Sequence, residues 1–288
     1  MTCWIRLLAL AMASLISPSV FAQAWIHEPG SGYAEVGGRH LSGSAFYNGD
    51  GESRDIASRY SQSTLTVYGE VGVVERWLQL SAGGELYRRN ALAEQGATRG
   101  LGDLQVGAFT GLLQGEVLNL SAGLRVGLPT GDADPTSGTG DPQLDIIAAS
   151  LPTGAGEFSL TPTIAVGLAF GGGAWPLRHY LSTSLGYLVW FGFSDSLTWS
   201  AELGTRINVD LVDRLTLRLR LAGLDPLSAP QIASFSGVGE GVTYTSFGIG
   251  LAVDIWRGLG VHAMFESAFR ARNIIAATPY SVGLFWRF

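Results

Sequence analysis

Four histidines, His27, His40, His179 and His262, are the first places to look for acid–base chemistry, because imidazole titrates near neutral pH without help from its surroundings. A His and a Ser two residues apart in a strand share one face and could serve a hydrolase built into a barrel wall. His179-Tyr180-Leu181-Ser182 sets them three apart, on opposite faces, which argues against a barrel-embedded lipid hydrolase. His262 shares a strand face with Glu266, an arrangement open to general-base work, although a hydrogen-bonded pair in a wall is the simpler reading. Asp132, Asp134, Asp141 and Asp145 have spaced carboxylates of the kind that hold calcium, but the rest of a calcium loop is absent around them and a solvated acidic loop accounts for them. The glycine-rich GLGDLQVG stretch from residue 100 precedes no helix that would offer an N-terminus to phosphate. The one cysteine, Cys3, lies too close to the start to serve a mature chain. No catalytic residue, metal or cofactor is therefore expected.

The informative charges lie in a row instead. By two-residue alternation, Glu35, Arg39, Glu70, Glu85, Asp103, Arg125, Glu202, Arg206, Arg218, Arg220, Glu266 and Arg270 fall on one side of a series of strands whose other side is apolar. Residues 214–221 show this in short form: Leu215, Leu217, Leu219 and Leu221 oppose Arg214, Thr216, Arg218 and Arg220. In 117–128, Leu118, Leu120, Leu124, Val126 and Leu128 oppose Asn119, Ser121 and Arg125. Leucines and arginines on opposite faces need two different solvents. The mixed-sign row is expected to line a lumen, where opposite charges pair across strands and stiffen the wall, or where Arg125, Arg218 and Arg220 favour anions on a solute path.

Composition selects lipid as the outer solvent. Hydrophobic residues make up 47% and charged residues 15% of the 288 positions, against roughly 25% charged in soluble domains. Beyond the N-terminus, however, there is no apolar run of the roughly 20 residues a spanning helix needs. Forty glycines suit sheets and turns better than helices. A net charge of −6 with no basic patch argues against nucleic acid as a partner. Residues 1–22 read as a secretory signal, with Arg6 ahead of an apolar stretch from Leu7 and cleavage after Ala22 or Ala24, leaving 23–288 as the barrel. Trp77, Tyr87, Trp190, Trp256 and Trp286 fall near strand ends, where interfacial girdles lie.

A direct reading gives thirteen candidate strands, but bacterial single-chain barrels use even numbers, since both chain ends lie on the periplasmic side. The segment that does not alternate is 143–151, QLDIIAASL. Assigning it to a long external loop spanning 130–156 leaves an all-β, transmembrane, antiparallel up-and-down β-barrel of twelve strands. Residues 171–176 then become a periplasmic turn, and the loop is free to fold over or into the mouth. Links at 74–76, 114–116, 210–213 and 256–258 read as short periplasmic turns. Those at 46–61, 89–102, 224–241 and 271–278 read as long external loops.

The ordered succession YGEVGVVERWLQLSAGGELY (68–87), GLGDLQVGAF (100–109), LRVGLPTGD (124–132), VDLVDRLTL (209–217) and the final GLFWRF (283–288) resembles the outer-membrane proteins of the putative MetA pathway of phenol degradation. That resemblance implies a twelve-stranded barrel in the bacterial outer membrane that passes small, hydrophobic or aromatic molecules. It brings no catalytic residues. The expected partners are outer-membrane lipids, an unspecified small solute, and the barrel assembly machinery through the strand ending at Phe288. A closed barrel with a structural or surface-binding role is the alternative.

Overall fold

The computed structural model describes residues 23–138, 142–171, 177–209, 212–228 and 241–288. Its strands are β1 (Gly32–Tyr47), β2 (Ser53–Val74), β3 (Leu78–Leu92), β4 (Gly96–Gly100), β5 (Leu104–Gln114), β6 (Leu118–Leu128), β7 (Ser159–Gly171), β8 (Leu177–Trp190), β9 (Ser196–Val209), β10 (Val212–Pro226), β11 (Thr243–Trp256), β12 (Leu259–Arg272), β13 (Ile274–Ile275) and β14 (Tyr280–Arg287); one helix, α1 (Pro142–Ala149), separates β6 from β7. Every pairing between these strands is antiparallel. The ring closes where β1 pairs β14, from Tyr33↔Arg287 to His40↔Tyr280, while β1 pairs β2 on its other side. β4 hangs on β3 alone and β13 bridges only the end of β1, so the wall has twelve strands.

The alternation read from the sequence becomes an inside and an outside. On β10, Leu217 and Leu219 are 47% and 54% exposed, whereas Arg218 and Arg220 are each 7% exposed. Trp77, Trp256 and Trp286 stand exposed on the outer surface, as an interfacial girdle requires. Trp190 lines the internal cavity instead. Closure explains the pattern: a closed antiparallel sheet satisfies its backbone donors and acceptors between strands and presents lipid with side chains only.

The stretch 143–151 stays out of the wall, as parity requires, and it is helical. Pro142 begins the helix, where a missing N–H costs nothing. Ile147 and, just past the helix, Leu151 stand four apart on one side and pack with Leu41, Tyr60, Leu92, Ile275 and Ala277 at the inner top of the barrel, and Ala148 is buried beside them in the chain. Three contacts fix the segment that follows: Asn90 Nδ2 donates to Pro152 O at 2.6 Å, Thr98 Oγ1 donates to Leu151 O, and Thr153 N donates to Asp132 O at 2.8 Å. Ahead of the helix, Ser137 donates to Asp145 Oδ1 from its amide at 2.7 Å and its hydroxyl at 2.6 Å, which holds the Asp145 carboxyl below the ordinary aspartate range.

Two of the expected long external loops turn out to be strand. β1 and β2 stay paired up to Tyr47↔Ser53, so the link at 46–61 shrinks to a tight turn whose Asn48 Oδ1 accepts from Asp50 N and Glu52 N. The 89–102 link is largely the β3–β4 hairpin. Hydrophilic loop composition concealed these pairings, because strands beyond the membrane meet water on both faces and lose their alternation. Residues 172–176 and most of 224–241 lie outside the described residues.

Two predictions concern the folded-in loop. Leu151→Ala should cost the loop about 2–5 kcal/mol of local stability, measured as faster amide exchange and protease cutting over 142–153, with the wall strands unaffected. Asp145 is more acidic folded than unfolded, so its clasp on Ser137 is intact above the ordinary aspartate range and lost as pH falls through the lowered value. Exchange at the Ser137 amide should rise on that descent, and Asp145→Asn should abolish most of the pH dependence.

Candidate functional site: a lumen stoppered at both ends

At the periplasmic foot, residues 23–30 cross the inside of the barrel before β1 begins. Gly30 N donates to Gly72 O at 2.9 Å, tying the segment to β2. From there it is held by neutral side chains on successive strands. Gln79 Oε1 of β3 accepts from His27 N at 2.9 Å; Gln114 of β5 accepts from Ile26 N at 3.0 Å and donates to Ala24 O at 2.9 Å; Ser121 Oγ of β6 donates to Gln23 O at 2.6 Å. The Trp25 ring meets Tyr180 of β8 edge-on at 6.1 Å and lies against Gly167, where a Cβ would come within 2.6 Å of it. One charged contact joins this strap to the wall: His27 Nε2 is 2.9 Å from Glu70 Oε1, and Glu70 also accepts from Tyr68 Oη at 2.6 Å and Gln79 Nε2 at 3.2 Å. The strap thus spans the foot from β2 to β8, with Gln23 and Ala24 buried.

At the external end the described parts of the 130–156 loop, 130–138 and 142–156, turn inward. Asp103 anchors it, accepting from Gly131 N at 3.0 Å through one carboxylate oxygen and from Ala155 N at 2.6 Å through the other. The far side of the mouth is apolar, with Val242, Tyr244, Ala268, Ala271 and Ile274 clustered and Leu224 and Tyr47 packed on them.

Between the stoppers lies a belt of charge around a cavity of about 300 Å³. Glu85 and Arg88 form a buried ion pair at 3.2 Å. Glu35 accepts from Tyr33 Oη at 2.5 Å and lies 3.0 Å from His262 Nε2. That contact is an ion-pair distance without hydrogen-bond direction, since neither ring nitrogen of His262 makes a directed bond among the described residues. His262 therefore faces Glu35 across the seam of the barrel; the expected partner, Glu266, lies 4.0 Å from Arg220 Nη1. Arg39 feels the charges of Glu266 and Glu85, and Arg125 Nη2 reaches Thr163 Oγ1 at 3.5 Å. Glu202 accepts from Tyr180 Oη at 2.6 Å, the Arg206 guanidinium lies 5.3 Å from the Tyr180 ring centre, and buried Arg218 carries its charge near Glu35 and Tyr180.

Arg270 departs from the row. The register shifts between Thr245 and Ser246, which oppose Arg270 and Ala268. One residue is gained there, and alternation resets. The Arg270 guanidinium is half-exposed on Asp225 at 2.7 Å, at the external rim. His179 bonds Thr205 at 3.0 Å and stacks on Phe170, while Ser182 points the other way, into the lumen. Sequence reasoning passed over the strap: 23–30 is too short to show a period, and apart from Glu70 its side-chain anchors, Gln79, Gln114 and Ser121, are uncharged. The available signal was two inward-facing glutamines, Gln79 and Gln114, near periplasmic turns.

Residues 36–168, from within β1 to near the end of β7, match the family described as putative MetA-pathway of phenol degradation. Among solved structures, the chain is similar to an outer membrane channel from Pseudomonas putida F1, with 14% identity, 95% of this chain and 100% of that chain covered, and a TM-score of 0.62. It is more distantly similar to the NanC porin (9% identity, 88% and 100% covered, TM-score 0.47) and the KdgM porin (9% identity, 88% and 99% covered, TM-score 0.44). No curated protein matches it. The family's sequence pattern thus spans a little under half of the chain, through its first seven strands, within a closed twelve-stranded wall.

Proposed function

We propose that the protein is a bacterial outer-membrane channel for small solutes, gated by displacement of the 23–30 strap and the 130–156 loop rather than held permanently open. The observation that carries this reading is the way the strap is attached. Apart from the His27–Glu70 contact, its anchors across the lumen are neutral hydrogen bonds from Gln79, Gln114 and Ser121, each worth about 1 kcal/mol net. Such a stopper opens at modest cost, whereas the buried Glu85–Arg88 pair behind it stays in place. The family match and the channel and porin neighbours support transport as the class. Residues 1–22 serve as the export signal, and Gln23 buried on Ser121 favours cleavage after Ala22 over cleavage after Ala24. The strand ending at Phe288 is the surface offered to the barrel assembly machinery.

A closed structural barrel is the second reading, favoured by both mouths being filled. Flux separates the two. In proteoliposomes, wild-type protein should pass small solutes slowly, and the Gln79→Ala/Gln114→Ala variant should pass them faster, with quicker amide exchange at Ile26 and His27. Shortening the 130–156 loop should raise flux independently. Folded barrels that pass nothing in any of these forms would establish the closed reading instead.

A further inference from the structure

We propose that the cavity of the lumen binds one molecule of a monocarboxylate with an apolar body, such as an arene carboxylate, its carboxylate held by Arg39, Arg125 and Arg220 and its body lying toward Tyr244 and Leu224. This deepens the channel reading by naming the solute class, and rests on it for the passage of that solute but not for its binding.

The guanidinium groups carry the argument. Arg39 Nε and Nη2, Arg125 Nε and Arg220 Nε are buried and make no hydrogen bond among the described residues. Buried N–H groups without an acceptor are costly, and three residues presenting them to one cavity are a built anion site rather than scattered defects. Nearby carboxylates do not meet that demand. Glu85 is engaged by Arg88 at 3.2 Å, Glu35 by Tyr33 and His262, and Glu266 approaches Arg220 only at 4.0 Å through a different nitrogen.

The same carboxylates set the charge of the ligand. With Glu35, Glu85 and Glu266 lining the cavity alongside the arginines, a dianion such as a phosphate monoester would meet stronger repulsion than a single carboxylate does. A planar carboxylate also matches the fork of a guanidinium. Shape and polarity set the remainder. The volume of about 300 Å³ sits at the small end of ligand cavities, and Leu188, Trp190, Ala222, Leu224, Val242 and Tyr244 give its external side an apolar lining. The arrangement favours a compact ring or short branched chain carrying one negative charge.

Equilibrium dialysis of the purified barrel in neutral detergent tests this with benzoate, benzyl alcohol and phenyl phosphate as probes. Benzoate should bind saturably, at one per barrel, and at least about tenfold more tightly than either of the others. Arg39→Gln and Arg125→Gln should each weaken benzoate by about tenfold or more while leaving the alcohol unchanged. Heat-modifiable gel mobility reports folding; if one variant fails to fold, the other carries the test, and Arg220→Lys, which keeps the charge but loses the fork, serves as a third. Equal binding of alcohol and benzoate, tighter binding of phenyl phosphate, or benzoate affinity indifferent to these substitutions in folded barrels would overturn the proposal. Liposome flux is read separately. Selective binding without flux would retain this site and sink the channel, whereas flux without benzoate preference would do the reverse.

Discussion

The hydrogen-bonded seam between β1 and β14 is the constraint on which the rest of this structure depends. Hydrocarbon offers no partner to an edge strand, so the ladder from Tyr33↔Arg287 to His40↔Tyr280 must close or the sheet cannot reside in lipid. Closure with antiparallel neighbours fixes an even strand number. It also fixes which end of each strand faces the periplasm and therefore which links are turns and which are loops. The helical fate of 142–149 follows from the same rule, because a thirteenth strand would have left Phe288 on the wrong side of the membrane.

Closure at twelve strands has a second consequence, namely a narrow lumen. Side chains from facing walls approach one another, and Arg125 on β6 feels the charge of Arg220 on β10. In so confined a space, charges are desolvated enough for their placement to matter. The wall sorts them accordingly. Glu85 and Arg88 pair on one strand across a bulge, Glu35 takes Tyr33 on its own strand and His262 from β12, and Glu202 takes Tyr180 from β8. The two stoppers hold the wall mostly through uncharged groups, with Glu70 below and Asp103 above as the charged contacts: a strap on amides and hydroxyls at one end, an aliphatic face on Leu41 and Tyr60 at the other.

The wall was legible in the sequence because its signal is repeated. Leu217-Arg218-Leu219-Arg220-Leu221 states a face in five residues, and 117–128 states it again. What the sequence concealed lies where a single residue breaks the period. The bulge at Ala268–Arg270 carries no compositional mark, yet it turns Arg270 from the lumen to Asp225 at the rim. His262 was readable as inward, but its partner depends on which strand closes against β12, so Glu35, distant by more than two hundred positions, was hidden behind the nearer Glu266. The strap was hidden for a different reason. It has no period of its own, and only the shape of the lumen gives Trp25 a place against Gly167 and Tyr180.

These contrasts bear on why the lumen is charged at all. Replacing a buried ion pair with apolar residues is often neutral or stabilising in a folded protein, so stability alone does not explain Glu85–Arg88 or the arginines of β10. In a barrel surrounded by lipid, however, an apolar inner face would make the two faces of each strand equivalent, and a one-residue slip in register would cost nothing. Arg218 and Arg220 between three leucines remove that degeneracy, because a slipped strand would direct both guanidinium groups into hydrocarbon. The charged wall therefore specifies the register that makes it a wall. The surplus of guanidinium N–H groups over nearby acceptors is what such a role leaves over, and it is this remainder that a solute can use.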